Sequence, residues 1–165
     1  MKKHLYFLCP TDYLESIINA TFHEENYYYN SLGNSITFDS EMIGQINRLI
    51  QKNDIGEITF ALSDNNRIVK DAIKNRHFID IKGLNDFYEQ IHKQKQHSDI
   101  LWQTDHPYFS VFSYHLNKKI NELQLALNTI YKIPIKITGK IYIKKEAIFK
   151  NIYSDLVCVD KHCLN

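Results

Sequence analysis

Ile58-Thr59-Phe60-Ala61-Leu62-Ser63-Asp64-Asn65-Asn66-Arg67-Ile68-Val69-Lys70-Asp71-Ala72-Ile73 passes from an apolar run through a polar quartet to a helical pattern. The run Ile58–Leu62 fits a strand buried on both faces, and Ser63-Asp64-Asn65-Asn66 fits a turn. Ile68, Val69, Ala72 and Ile73 then recur at helical spacing. Strand, turn and helix in that order form the repeating unit of a parallel sheet. Two further copies precede it. Leu5–Cys9 is an apolar run closed by Pro10, and Asp12, three residues before Glu15, is expected to cap a helix carrying Leu14, Ile17 and Ile18. Tyr27-Tyr28-Tyr29 makes an aromatic strand, followed by the polar loop Asn30-Ser31-Leu32-Gly33-Asn34-Ser35. Asp39 or Ser40 can cap the next helix, whose Met42, Ile43, Ile46, Leu49 and Ile50 form one stripe ending at Asn53-Asp54.

Downstream, Leu84, Phe87, Tyr88 and Ile91 mark a further helix, and Val111–Leu127 another through Leu116, Ile120, Leu123 and Leu127. Gln94–Pro107, with His97, Trp102 and His106, has few periodic cues and is expected to be a loop or an interface segment. Ile135–Ile143 alternates apolar and polar residues, turns at Lys144–Glu146 and returns as Ala147–Tyr153, which predicts a hairpin. The expected fold is a three-layer α/β domain spanning residues 1–165, with a central four-stranded parallel sheet, an antiparallel edge strand and helices on both faces.

The chain has 165 residues, enough for one domain, and its 44% hydrophobic content supplies a core. Twenty Lys plus Arg against nineteen Asp plus Glu leave a formal charge of +1, so no global field draws it to nucleic acid or anionic lipid. Lys140, Lys144, Lys145 and Lys150 fall on the hairpin, where alternate lysines solvate an open face. The N-terminal apolar run is too short to span a membrane, and a cytoplasmic protein is expected. Three cysteines without framework spacing favour reduced thiols. No glycine-rich phosphate-binding motif is present.

In an open α/β sheet, ligands bind beyond the carboxyl ends of the strands. The turns Cys9-Pro10-Thr11-Asp12, Ser31-Leu32-Gly33-Asn34 and Ser63-Asp64-Asn65-Asn66 would meet there. Their order resembles the β-class carbonic anhydrases. Tyr27–Thr37 is similar to that family's strand and Asn-Ala-Gly-Asn loop, Ile55–Lys70 to the strand and loop bearing its His-x-x-Cys zinc ligands, and Ile137–Tyr142 to its closing strands. The resemblance implies a homodimer. It also implies that Cys9 stands at the first zinc ligand, opening a Cys-x-Asp-x-Arg motif in which Thr11 replaces the aspartate and Tyr13 the arginine. Ser63 replaces the ligand histidine and Asn66 the second ligand cysteine.

One thiolate does not hold catalytic zinc, which needs three protein ligands and an open position. No catalytic residue, metal or other cofactor is therefore assigned. The expectation is a non-catalytic relative whose pocket, lined by Cys9, Thr11, Ser31, Asn34, Ser63, Asp64 and Asn66, takes a small ligand such as an oxyanion, or a regulatory partner. Two alternatives stand beside it. One is a rewired lyase or hydrolase using Cys9 as nucleophile, or Cys9 with Asp64 as ligands of a different metal; the other is a purely structural dimer. Cys158, His162 and Cys163 could clip a metal in the tail. The histidines, His4 and His115 among them, follow no ligand spacing and are expected at the surface or as caps.

Overall fold

The computed structural model describes residues 1–101 and 107–153. Five strands, β1 (Lys3–Leu8), β2 (Glu25–Asn30), β3 (Glu57–Ser63), β4 (Lys136–Ile143) and β5 (Ile148–Asn151), form one sheet in the order β2-β1-β3-β4-β5. The first four are parallel, and β5 runs antiparallel at the edge. The chain builds β2 on one side of β1 and β3 on the other, so the strand order reverses at β1. This places the crevice between the carboxyl ends of β1 and β3.

The pleat sorts the residues. Leu5, Phe7, Ile58, Phe60, Leu62 and Ile141 face the larger core, beneath α2 (Ser40–Asn53), α3 (Arg67–Ile73), α4 (Asn85–Leu101) and α5 (Pro107–Asn128). Phe7 and Phe60, paired in register, stack at 4.7 Å, and Phe38 meets both edge-on. On the other face, Tyr6, Leu8 and Ala61 pack against Leu14 and Ile18 of α1 (Glu15–Thr21) and its preceding residue. Among the described residues, α1 is the only helix on that face, and Tyr28, Tyr142 and Phe149 are half-buried there.

Asp39 caps α2, its side chain accepting from the Met42 N–H at 2.8 Å, and Asp54 ends the helix in the left-handed region. Asp12 does not cap α1. It lies in a 3-10 turn, Pro10–Asp12, and the residue before α1 is Leu14, with no side-chain cap. Nor is Gln94–Leu101 a loop, because α4 runs through Leu101. That segment holds no Gly or Pro to stop a helix, and the first breaker, Pro107, opens α5, where its missing N–H is harmless. Trp102 and His106, with the Cys158, His162 and Cys163 cluster, lie outside the described residues. No helix among the described residues is long and apolar enough to cross a membrane.

Candidate functional site

Cys9 follows β1 directly and is only 1% exposed. The 3-10 turn after it closes with the Asp12 N–H donating to the Cys9 carbonyl at 3.1 Å. Its sulfur shares a hydrogen bond with the Thr11 hydroxyl at 3.1 Å and accepts from the Gly33 N–H at the same distance. The turns after β1 and β2 thus meet at this thiol. Gly33 adopts φ +61°, which a side chain resists, and a Cβ there would lie 3.0 Å from Phe87 and 3.1 Å from Ile68. The close approach of the Gly33 backbone to Cys9 therefore requires glycine.

Asp12 carries the junction to β3. Its Oδ2 accepts from the Ser63 N–H at 2.9 Å, while the Asn66 amide donates to Oδ1 at 2.9 Å and Oδ2 at 3.0 Å. Asn66 is fully buried, and its oxygen accepts from the Val69 N–H at 2.8 Å, capping α3. A single side chain therefore starts the helix and holds the carboxylate. Burial pushes the Asp12 carboxyl up to about 6, aided by the charge of Asp64 and opposed by the hydrogen bonds from Ser63 and Asn66.

The other expected residues divide. Asn34 is buried, and its amide donates to the carbonyls of Phe7 at 3.3 Å and Ala61 at 3.1 Å, bridging β1 and β3. Its Oδ1 and the Ser31 hydroxyl have no hydrogen-bond partner among the described residues. The Ser63 hydroxyl accepts from the Asn65 N–H at 3.2 Å. Asp64 points elsewhere: its carboxylate accepts from the Lys144 N–H at 3.2 Å, tying the turn to the β4–β5 hairpin.

Three participants were not legible as such. Asp12 reads as a cap by its spacing from Glu15, yet belongs to the junction. His115, expected at the surface, is buried on α5 with Nε2 2.8 Å from the Gly33 carbonyl. Since the carbonyl accepts, Nε2 carries the proton; burial, with the Lys119 charge adding to it, pushes the imidazole down to about 3, so it stays neutral. Lys119, one turn on, donates to the Ile36 carbonyl at 2.8 Å and pairs with Glu122. α5 thus holds the β2 loop from behind.

In front of Cys9 opens a cleft of about 360 Å³, lined among others by Tyr13, Glu15, Ser16 and Asn30, with Asn30 donating to Glu15 at 3.0 Å. Of the expected pocket residues, only Cys9 lines it. The groups pointing into the Asp12 junction are N–H donors, whereas a cation needs acceptors. Among the described residues, no group of three His, Cys, Asp or Glu side chains could hold a metal ion.

No protein-family model matches the chain, and no curated protein does. Solved structures do match. The β-carbonic anhydrase CafA of the fungal pathogen Aspergillus fumigatus superposes with a TM-score of 0.69 at 12% identity, over 98% of this chain and 82% of that one. One of two tetrameric β-carbonic anhydrases from the filamentous ascomycete Sordaria macrospora gives 0.69 at 11% identity, over 91% of this chain and 80% of that one. The Coccomyxa β-carbonic anhydrase in complex with acetazolamide gives 0.66 at 13% identity, over 99% and 82%. At these identities the likeness is one of fold: the chain has the architecture of the β-carbonic anhydrases.

Proposed function

We propose that this chain is a carbonic-anhydrase-like protein that does not hydrate carbon dioxide and binds a small polar ligand in the cleft beside Cys9. One observation carries the reading. Where the fold family would gather zinc ligands, the Ser63 N–H and the Asn66 amide converge on the Asp12 carboxylate at 2.9–3.0 Å. Two donors and one carboxylate make a closed hydrogen-bonded junction, and zinc does not fit such a set. Without a metal to acidify it, water supplies no hydroxide near neutral pH, and hydration loses its nucleophile.

The ligand is neutral or cationic rather than an oxyanion. Glu15 lines the cleft, so an anion would meet its carboxylate. Asn30, Ser16 and Tyr13 offer the polar contacts. The chain is read as a homodimer.

The test is metal content and hydration together. Protein purified in the presence of zinc and then desalted should carry well under one zinc per chain and add nothing to the uncatalysed hydration rate. One tightly held zinc per chain, with hydration above background, would overturn the reading.

A further inference from the structure

We propose that Glu24, His4, Thr59 and Thr138 form a second site at the amino ends of the strands, a base-activated hydroxyl that accepts acyl groups from small carboxylic esters. The four side chains lie in line. Glu24 Oε2 is 3.1 Å from His4 Nδ1, His4 Nε2 is 2.8 Å from the Thr59 hydroxyl, and that hydroxyl is 2.8 Å from the Thr138 hydroxyl. The pleat accounts for the line: His4 and Thr59 occupy the same face of neighbouring parallel strands, and Thr59 is paired in register with Thr138.

The polarity of the chain is fixed from one end. With a carboxylate on Nδ1, that nitrogen carries the proton and Nε2 is the acceptor. Thr59 therefore donates to His4, leaving its oxygen to accept from Thr138. His4 is buried and stacks on Tyr6 at 4.3 Å. Burial lowers its pKa, against the raising effects of Glu57 and Glu24, which keeps the imidazole a neutral base near pH 7. Glu57 does not compete for the ring, since it is ion-paired to Lys2 and Lys136.

Thr138, unlike Thr59, reaches solvent. It lines a cleft of about 440 Å³ together with Asn117, Lys136, Lys140 and Asn151, a size suited to a small molecule. Lys136 and Lys140 flank it at two residues on either side, hence on the same face. Lys136 is bonded to Glu57 and Lys140 to Asn151, each at 2.9 Å, and each ammonium keeps further N–H groups for a developing oxyanion.

In the reaction, Thr138 Oγ attacks the ester carbonyl and a new C–O bond forms. The Thr138 proton moves to Thr59 as the Thr59 proton moves to His4 Nε2, and Glu24 balances the imidazolium. The ester C–O bond then breaks and an acidic alcohol such as p-nitrophenol leaves as its anion, while the proton stays on His4, where Glu24 balances it, and Thr138 is left as the acyl ester.

The experiment uses p-nitrophenyl acetate with the full chain, following nitrophenolate release and mapping the acetyl group by peptide mass spectrometry. Acetylation is expected on Thr138. Thr138→Val, which keeps the β-branched shape and the strand but has no hydroxyl, should abolish acetylation at position 138. Thr138→Ser should retain it, and His4→Gln should slow it about a hundredfold with Thr138 intact, the scale of lost general-base activation. Acetyl groups on lysines or Cys9 alone, or a Thr138→Val variant reacting at the wild-type rate with unchanged melting, would overturn the proposal.

Discussion

At Asp12, burial raises the carboxyl to about 6 from the ordinary 3.8. Between those values the folded protein keeps a proton that the unfolded chain has released. The contribution to stability is therefore fully present below the unfolded value, declines as pH rises through 6 and is level above it. The change amounts to roughly 3 kcal/mol. Asp12→Asn cannot ionise. The difference in unfolding free energy between wild type and variant, from denaturant titrations at pH 4 and 7, should shift by about that amount in the variant's favour. Parallel pH profiles would show that Asp12 is not the buried titrating group. Gly33 offers a second test at this scale. A methyl there meets Phe87 and Ile68 at 3.0–3.1 Å with φ at +61°, so Gly33→Ala should destabilise the fold by about 1–3 kcal/mol, read from the denaturant midpoint.

At the scale of elements, α3 is the informative case. It has seven residues and starts on Asn66, whose side chain satisfies the Val69 N–H while donating to Asp12. Asn66→Ala removes both, and an expected loss of about 2–4 kcal/mol combines a cap with a carboxylate left short of donors. Asp39→Ala, which removes only the cap of α2, should cost about 1 kcal/mol. A double-mutant cycle with Asp12→Ala should return a coupling term for Asn66 and none for Asp39. The contrast shows what the sequence can disclose. The strand-turn-helix of Ile58–Ile73 is legible from periodicity alone, because burial on two faces and then on one stripe leaves different patterns. The partner of Asp12 is not. A carboxylate three residues before Glu15 looks like a local cap, and only the meeting of β1 with β3 shows that its donors come from residues 63 and 66. His4 and His115 escaped for the same reason: their partners Thr59 and Gly33 lie 55 and 82 residues away.

For the whole molecule, the parallel pairing and the antiparallel edge follow from the three crossover units and the hairpin, whereas the strand order β2-β1-β3-β4-β5 does not, and the way copies associate must be argued from exposure. The larger core is roofed by α2 to α5, but among the described residues the opposite face has only the short α1. Beside α1, Tyr13 is 82% exposed and adopts φ 54°, a conformation that disfavours a side chain. At that exposure, packing within the described residues does not reward the ring, whereas an interface would, since aromatics are enriched there. A net charge of +1 also leaves little repulsion between copies. Association through the α1 face is therefore expected, with light scattering after size exclusion giving twice the chain mass. Tyr13→Gly separates the two effects: relief of the left-handed strain should raise the stability of the isolated fold by about 1 kcal/mol, while loss of the ring weakens the dimer. A variant that gains stability without losing association would remove Tyr13 from the interface, and a monomer at every concentration would leave the α1 face to water.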